Sequence, residues 1–92
     1  MACPSFDVKV NDVKATLDKI KKAIAGLGSL SGDEKKGTFI LSDSSIVAGK
    51  YTIKGSYTVD SNVITITNDI QAQNPDIVTC KRVTEKMQGW LK

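Results

Sequence analysis

Histidine is absent from this chain of 92 residues, which also has only one arginine, two prolines and two cysteines. Without histidine a serine nucleophile lacks its usual base, and no recognisable Ser–Lys arrangement replaces it. Zinc and transition-metal sites need clustered histidine, cysteine or carboxylate ligands, and the sequence offers no such cluster. We therefore predict a protein that is not an enzyme and that needs no metal and no cofactor.

Basic charge is carried by twelve lysines and a single arginine, and the net charge is only +3. Nucleic-acid sites favour the guanidinium fork of arginine, so this composition disfavours a nucleic-acid partner. A weak nucleic-acid-binding module remains the alternative function. It would use basic residues on the faces of two predicted helices, namely Lys14, Lys21, Lys22, Lys81, Arg82 and Lys86.

Long hydrophobic runs are also missing, since none exceeds four residues, so no segment is predicted to span a membrane. The first residues lack the basic and apolar regions of a signal peptide. Cys3 and Cys80 do not make a disulfide scaffold, and although one bridge is open to them, we expect free thiols in a reducing compartment. The predicted location is the cytoplasm.

Residues 50–59, KYTIKGSYTV, show the clearest pattern in the chain. Tyr51, Ile53, Tyr57 and Val59 alternate with polar residues, as in a strand with one face on a core and one in water. Gly55 interrupts the apolar side, and a glycine there permits a bulge or a bend. We predict a curved central strand.

Residues 12–26 are predicted to form a helix, with Asn11 as its N-cap. Its apolar positions recur at intervals of four and three residues, which is the spacing of one helical face: Val13, Leu17, Ile20, Ile24 and Leu27. Residues 29–36 are rich in serine, glycine and charge, and we interpret them as a linker.

The second half of the chain predicts more strands and a closing helix. Residues 37–41 and 63–67 are interpreted as strands, residues 42–45 as a turn, and Asp60-Ser61-Asn62 as a tight reversal. Asn74-Pro75-Asp76 has the arrangement of a helix start. An apolar stripe at helical spacing follows, although residues 77–84 would also suit a strand: Ile77, Cys80, Val83, Met87 and Trp90.

These elements predict one α+β domain over residues 1–92, with residues 1–5 flexible. The order is (β)αβββα, an antiparallel meander of three to four strands with the N-terminal and C-terminal helices on one face. The aromatic residues Phe39, Tyr51, Tyr57 and Trp90 then share the space between sheet and helices. They are the candidate ligand-binding residues if a pocket opens there, and they fill the core if it does not.

Cys80 is the one intrinsically reactive side chain outside this aromatic group. A thiol enzyme would need its thiolate in an accessible, electropositive setting. Its place in an apolar stripe favours the alternative that it acts as a small hydrophobic residue of the core.

The segments FDVKV, GDEKKGTFIL, IVAGKYTIKGSYTV and VITIT, with a closing helix ending in WLK, resemble the small polyhydroxyalkanoic acid system (granule-region) proteins. That family looks like a reduced version of the START-like, helix-grip fold. The resemblance implies an intracellular bacterial protein that associates with an apolar surface, a ligand or a partner, and it supplies no catalytic residues.

The predicted function is therefore binding rather than catalysis. We expect a small binding module for an apolar small molecule or a protein partner, which would use the groove between sheet and helices or an exposed edge of the sheet. The free edge of a short meander would also allow a homodimer.

Overall fold

The computed structural model describes residues 2–46 and 49–91, which form one sheet of five antiparallel strands and two helices. The elements are β1 (Phe6–Lys9), α1 (Val13–Ile24), β2 (Gly28–Gly32), β3 (Lys36–Ser45), β4 (Gly49–Asp60), β5 (Val63–Ala72) and α2 (Cys80–Leu91). The strands lie in the order β1-β5-β4-β3-β2. The α+β class is confirmed, whereas the predicted count of three to four strands is too low.

Four residues of the sequence predictions lie outside the described residues. They are Met1 in the N-terminal arm, Val47 and Ala48 before the central strand, and Lys92 in the closing segment.

The central strand β4 has the predicted alternation. Ile53 and Tyr57 are buried, Tyr51 and Val59 are half-buried, and Lys54 is exposed on the opposite face. The apolar face lies beneath both helices, because side chains from α1 and α2 line the same internal space above the sheet. The polar face stays in water, as an antiparallel sheet allows.

Gly55, at which the sequence permits a bulge or a bend, forms no bulge. Gly55 pairs directly with Phe39 on β3 and Asn68 on β5, and the register continues without a break on both sides. The missing side chain serves another purpose: a Cβ atom on Gly55 would lie 2.2 Å from Cζ of Phe39. The glycine therefore makes room for the phenylalanine ring above the sheet.

Two segments interpreted as connections are strands. The predicted linker over residues 29–36 contains most of β2, which pairs with β3 from Gly28↔Leu41 to Gly32↔Gly37. The predicted turn over residues 42–45 belongs to β3, and these residues pair with the start of β4, from Ser42↔Thr52 to Ser45↔Gly49. Both predictions failed because backbone pairing, which needs no apolar side chain, decides these segments.

The reversal between β4 and β5 is confirmed. Ser61 and Asn62 both have positive φ angles, of 49° and 65°, as a two-residue hairpin of the I′ type requires. Ile64 and Ile66 are buried as predicted, but β5 continues beyond residue 67 to Ala72.

Helix α1 is confirmed, with a corrected N-cap. Asp12, rather than Asn11, is the capping residue, and its carboxylate accepts a hydrogen bond from the backbone N–H of Ala15 at 3.1 Å. Leu17 and Ile24 of the predicted stripe are buried.

Helix α2 starts later than the Asn74-Pro75-Asp76 signal predicted. Those residues begin a turn, in which the N–H groups of Ile77 and Val78 both donate to the carbonyl of Asn74 at 3.0 Å. The helix begins at Cys80, with the hydroxyl of Thr79 accepting from the N–H of Arg82 at 3.3 Å. A strand over residues 77–84 is thereby excluded.

The expectation of free thiols is wrong, because Cys3 and Cys80 form a disulfide with a Cα–Cα distance of 5.5 Å. The backbone of Cys3 donates to the carbonyl of Asn68 at 2.8 Å, which fixes the N-terminal arm beside β5. Cys80 is the first residue of α2. The bridge therefore ties the arm to the last helix.

Among the described residues, Asn68 is the only asparagine with a buried side chain, and 2% of its surface is exposed. Neither its amide nitrogen nor its amide oxygen has a hydrogen-bond partner in the described part of the chain. It lies on the apolar face between Gly55 and the backbone of Cys3. A buried amide without partners carries a desolvation cost that an apolar side chain avoids.

We expect Asn68→Leu to raise the free energy of unfolding by about 1–2 kcal/mol, because leucine has the same branching and no polar atoms to desolvate. Urea denaturation of both proteins measures the change. Gln71→Leu is the matched control, since Gln71 lies on β5 but is exposed, and it should change stability little. A destabilised Asn68→Leu protein would contradict the prediction.

Candidate functional site

The four aromatic candidates line two neighbouring spaces between the sheet and the helices instead of one pocket. Phe39, Tyr57 and Trp90 line an internal cavity of about 20 Å³. Tyr51 and Trp90 line a larger space of about 170 Å³ beside α2. Trp90 borders both spaces, and Tyr51 does not reach the internal cavity.

The internal cavity belongs to the packed core. Its volume is about 20 Å³, and a single water molecule already needs roughly 10–15 Å³. The ring of Phe39, 8% exposed, and the ring of Tyr57, 3% exposed, are core side chains. At this position the structure therefore fits the alternative that the aromatic residues fill the core.

The larger space, which we name the α2 groove, lies between α2 and strands β3 and β4. Its buried lining is apolar and consists of Leu41, Ile53, Val78, Val83 and Met87. Side chains that are only partly buried border it at Ile77, Tyr51 and Trp90. The stripe predicted for the last helix thus supplies one wall, and the apolar face of the sheet supplies the other.

Both tyrosine hydroxyls bind protein acceptors. The hydroxyl of Tyr57 donates to the backbone carbonyl of Asp33 at 2.7 Å, at the loop between β2 and β3. The hydroxyl of Tyr51 donates to the carboxylate of Asp43 at 3.3 Å. The two hydroxyls therefore do not converge on one ligand position.

Burial raises the pKa of both tyrosines above the ordinary value. The carboxylate of Asp43 raises the pKa of Tyr51 further, and the negative charge of Asp33 does the same for Tyr57. Both side chains stay protonated at neutral pH and act as hydrogen-bond donors.

Two cations border the α2 groove. Arg82 and Lys86 lie one helical turn apart on α2, and both are exposed. The ammonium nitrogen of Lys86 lies 5.9 Å from the centre of the Trp90 ring, within range of a cation–π interaction. The groove therefore combines an apolar lining with positive charge at its mouth.

The remaining basic candidates do not share this setting. Lys14 and Lys21 on α1 line a different open groove, which also contains the acidic residues Asp18, Asp33 and Glu34. The mixture of signs lowers the positive potential that a nucleic-acid backbone would need.

Cys80 has no free thiol in this structure, because its sulfur is bonded to Cys3. A thiolate nucleophile at this position would require prior reduction of the bridge. Among the described residues, no three histidine, cysteine, aspartate or glutamate side chains form a group suited to a metal ion.

The sequence identified the aromatic border of the groove but missed its apolar lining as a functional feature. Arg82 and Lys86 were named only as basic candidates for nucleic-acid binding, and their place beside an apolar groove was not predicted. Their spacing of four residues, beside an apolar stripe that includes Val83 and Met87, was the signal available in the sequence.

Comparisons with known proteins identify no relative. No protein family, no curated protein and no solved structure matches the chain. The resemblance to the polyhydroxyalkanoic acid system proteins therefore stays a prediction, and the function has to be argued from the site itself.

Proposed function

We propose that this protein is a non-enzymatic binding module that holds an apolar small molecule in the α2 groove. The observation that carries the proposal is the apolar lining of a space of about 170 Å³ beside α2. An apolar cavity of about 150 Å³ in another protein is large enough to bind benzene. The α2 groove therefore suits a ring of that size or part of an alkyl chain.

The composition of the lining also supports a ligand site. Met87 lies between the α2 groove and the internal cavity and borders both. An unbranched methionine side chain adapts its shape to a neighbour at small cost. The groove can therefore adjust to ligands of slightly different shape without a change in the backbone.

A titration with 1-octanol tests the proposal. Trp90 is the only tryptophan in the chain, and it borders the groove, so its fluorescence reports directly on occupation. We expect a saturable change in Trp90 emission. Absence of any saturable change, together with unchanged NMR signals of Val83 and Met87, would contradict the proposal.

A matched pair of variants localises the binding. Val83→Thr puts a hydroxyl into the groove wall, and burying that polar group against the ligand should weaken octanol binding by about tenfold. Val10→Thr makes the same change at a residue of similar burial, with exposed fractions of 9% and 6% for Val10 and Val83. Val10 does not line the groove, so its variant should bind octanol normally.

A protein partner at the edge of the sheet is the second candidate, and β2 favours it. Ser42 N–H donates to the Leu27 carbonyl, and Asp33 N–H donates to the Lys36 carbonyl. Because residues of an antiparallel strand alternately point their backbone groups towards and away from the neighbouring strand, these two bonds show which residues of β2 face β3. Gly28, Leu30 and Gly32 then direct their backbone groups away from β3. An uncharged edge strand of this kind can pair with another strand, including that of a second copy.

Concentration-dependent light scattering tests the edge. Pairing through β2 predicts a dimer that Leu30→Pro abolishes, because proline removes the outward N–H of the strand. A monomer at all concentrations would rule out the homodimer. Nucleic-acid binding remains the weaker alternative and predicts a steep dependence on salt.

The disulfide bears on the cellular compartment in which the protein is proposed to reside. The predicted cytoplasmic location rested partly on free thiols and partly on the lack of a signal-peptide pattern, whereas structural disulfides persist mainly in oxidising compartments. The Cys3–Cys80 bridge supports an oxidising compartment instead. Over residues 2–46 and 49–91, neither helix is long and apolar enough to cross a membrane.

A further inference from the structure

We infer that the ligand of the α2 groove carries a negative charge, which Arg82 and Lys86 hold at the mouth of the groove. The ligand class is a single-chain amphipathic anion, such as a short alkyl carboxylate that is free in solution. This inference rests on the proposed ligand site and adds the chemistry of the head group.

The first step is the placement of the two cations. Both line a groove whose buried walls are apolar, and both keep their charged ends exposed to water. Their spacing of four residues places them on the same face of α2, one turn apart. An anion at the mouth of the groove can therefore contact both cations while its chain enters the apolar space.

The second step is the lack of internal compensation. Within residues 2–46 and 49–91, neither Arg82 nor Lys86 forms an ion pair, and the ammonium nitrogen of Lys86 lies 5.9 Å from the centre of the Trp90 ring. The carboxylate of Asp43 accepts a hydrogen bond from the hydroxyl of Tyr51 at 3.3 Å. In the part of the chain that the structure describes, no carboxylate lines the groove itself.

The third step is the position of the cations on the helix. The first turn of α2 contains Lys81 and Arg82 and no acidic residue. The N-terminus of a helix already carries partial positive charge, which favours an anion and disfavours added cations. Two cations and the helix N-terminus together place positive charge beside the groove, which a ligand anion would complement.

Charge and shape together select one occupant. The apolar space of about 170 Å³ fits a short chain, not a double-chain lipid or a protein helix. A neutral apolar molecule would form no ion pair with either of the two cations. A carboxylate head group can accept hydrogen bonds from the guanidinium of Arg82 and the ammonium of Lys86 at the same time.

The test compares octanoate with 1-octanol, which have the same chain length and differ in charge. Dissociation constants from Trp90 fluorescence should show tighter binding of octanoate by about tenfold or more, and the preference should shrink at high salt. Arg82→Gln and Lys86→Gln should each weaken octanoate by about fivefold, and more than they weaken octanol.

Lys81→Gln is the matched control, because it removes the same charge from the same turn of α2 but does not line the groove. It should leave octanoate binding close to that of the unmodified protein. An equal loss in Lys81→Gln and Arg82→Gln would mean a nonspecific effect of net charge and would overturn the inference.

The outcomes separate the inference from the proposed function. Equal affinities for octanol and octanoate would overturn the anionic head group and leave the apolar site standing. Failure of both ligands would remove the site as well. Binding to vesicles of anionic phospholipid without binding of octanoate would overturn the inference in favour of a membrane surface.

Discussion

Reduction of the Cys3–Cys80 disulfide is expected to lower the free energy of unfolding by about 4.5 kcal/mol, the largest single effect we anticipate. The bridge joins residues 77 positions apart, so it closes almost the whole chain into one loop. On the chain-entropy account, loss of this constraint releases a correspondingly large entropy in the unfolded state. For a domain of this size the change corresponds to a fall in Tm of about 20 °C.

Calorimetry of the oxidised protein with and without reductant measures this difference. Intact-mass measurement should first establish that the starting protein lacks the two thiol hydrogens. The double variant Cys3→Ser/Cys80→Ser is the control, because its Tm should be low and independent of reductant. An unchanged Tm of the unmodified protein after complete reduction would contradict the prediction.

Phe39→Ala is expected to cost about 4 kcal/mol of stability, because it removes a buried ring that nothing nearby can replace. Phe39 is 8% exposed and borders the internal cavity, so deletion of the ring enlarges an existing void. The ring also occupies the space above Gly55, which has no side chain to move into the gap. The main chain below is fixed by pairing on both sides of β4 and cannot collapse inward.

Urea denaturation measures the loss in free energy of unfolding of Phe39→Ala. Ile40→Ala is the matched control. Ile40 is the next residue on β3, faces the other side of the sheet and is 42% exposed. Its truncation should change stability by about 0.5 kcal/mol or less. A loss below about 1 kcal/mol in Phe39→Ala would mean that the ring is not packed as described.

A double-mutant cycle with Gly55→Ala tests the contact itself. Alone, Gly55→Ala should destabilise the protein, because the new Cβ would lie 2.2 Å from Phe39 Cζ and 2.5 Å from the Thr67 carbonyl oxygen. In the Phe39→Ala background the first clash is gone, so the same substitution should cost less. Additive effects of the two substitutions would show that the ring does not occupy this space.

The sequence alone determined the elements whose apolar side chains recur at the spacing of one strand face or one helix face. The alternation around Ile53 and Tyr57 gave β4, and the spacing from Val13 to Ile24 gave α1, because each pattern matches the geometry of one element. The hairpin after Asp60 was also determined locally, since Ser61 and Asn62 supply its positive φ angles. Local chemistry was sufficient for all three.

Only the tertiary structure decided the features that depend on distant partners. Strand β2 has no buried residue, so no periodic signal marks it, and its pairing with β3 alone makes it a strand. The proximity of Cys3 to Cys80 and the space above Gly55 depend on register and packing across the sheet. The α2 groove likewise requires α2 to lie on β3 and β4, a relation between surfaces that residue spacing along the chain does not contain.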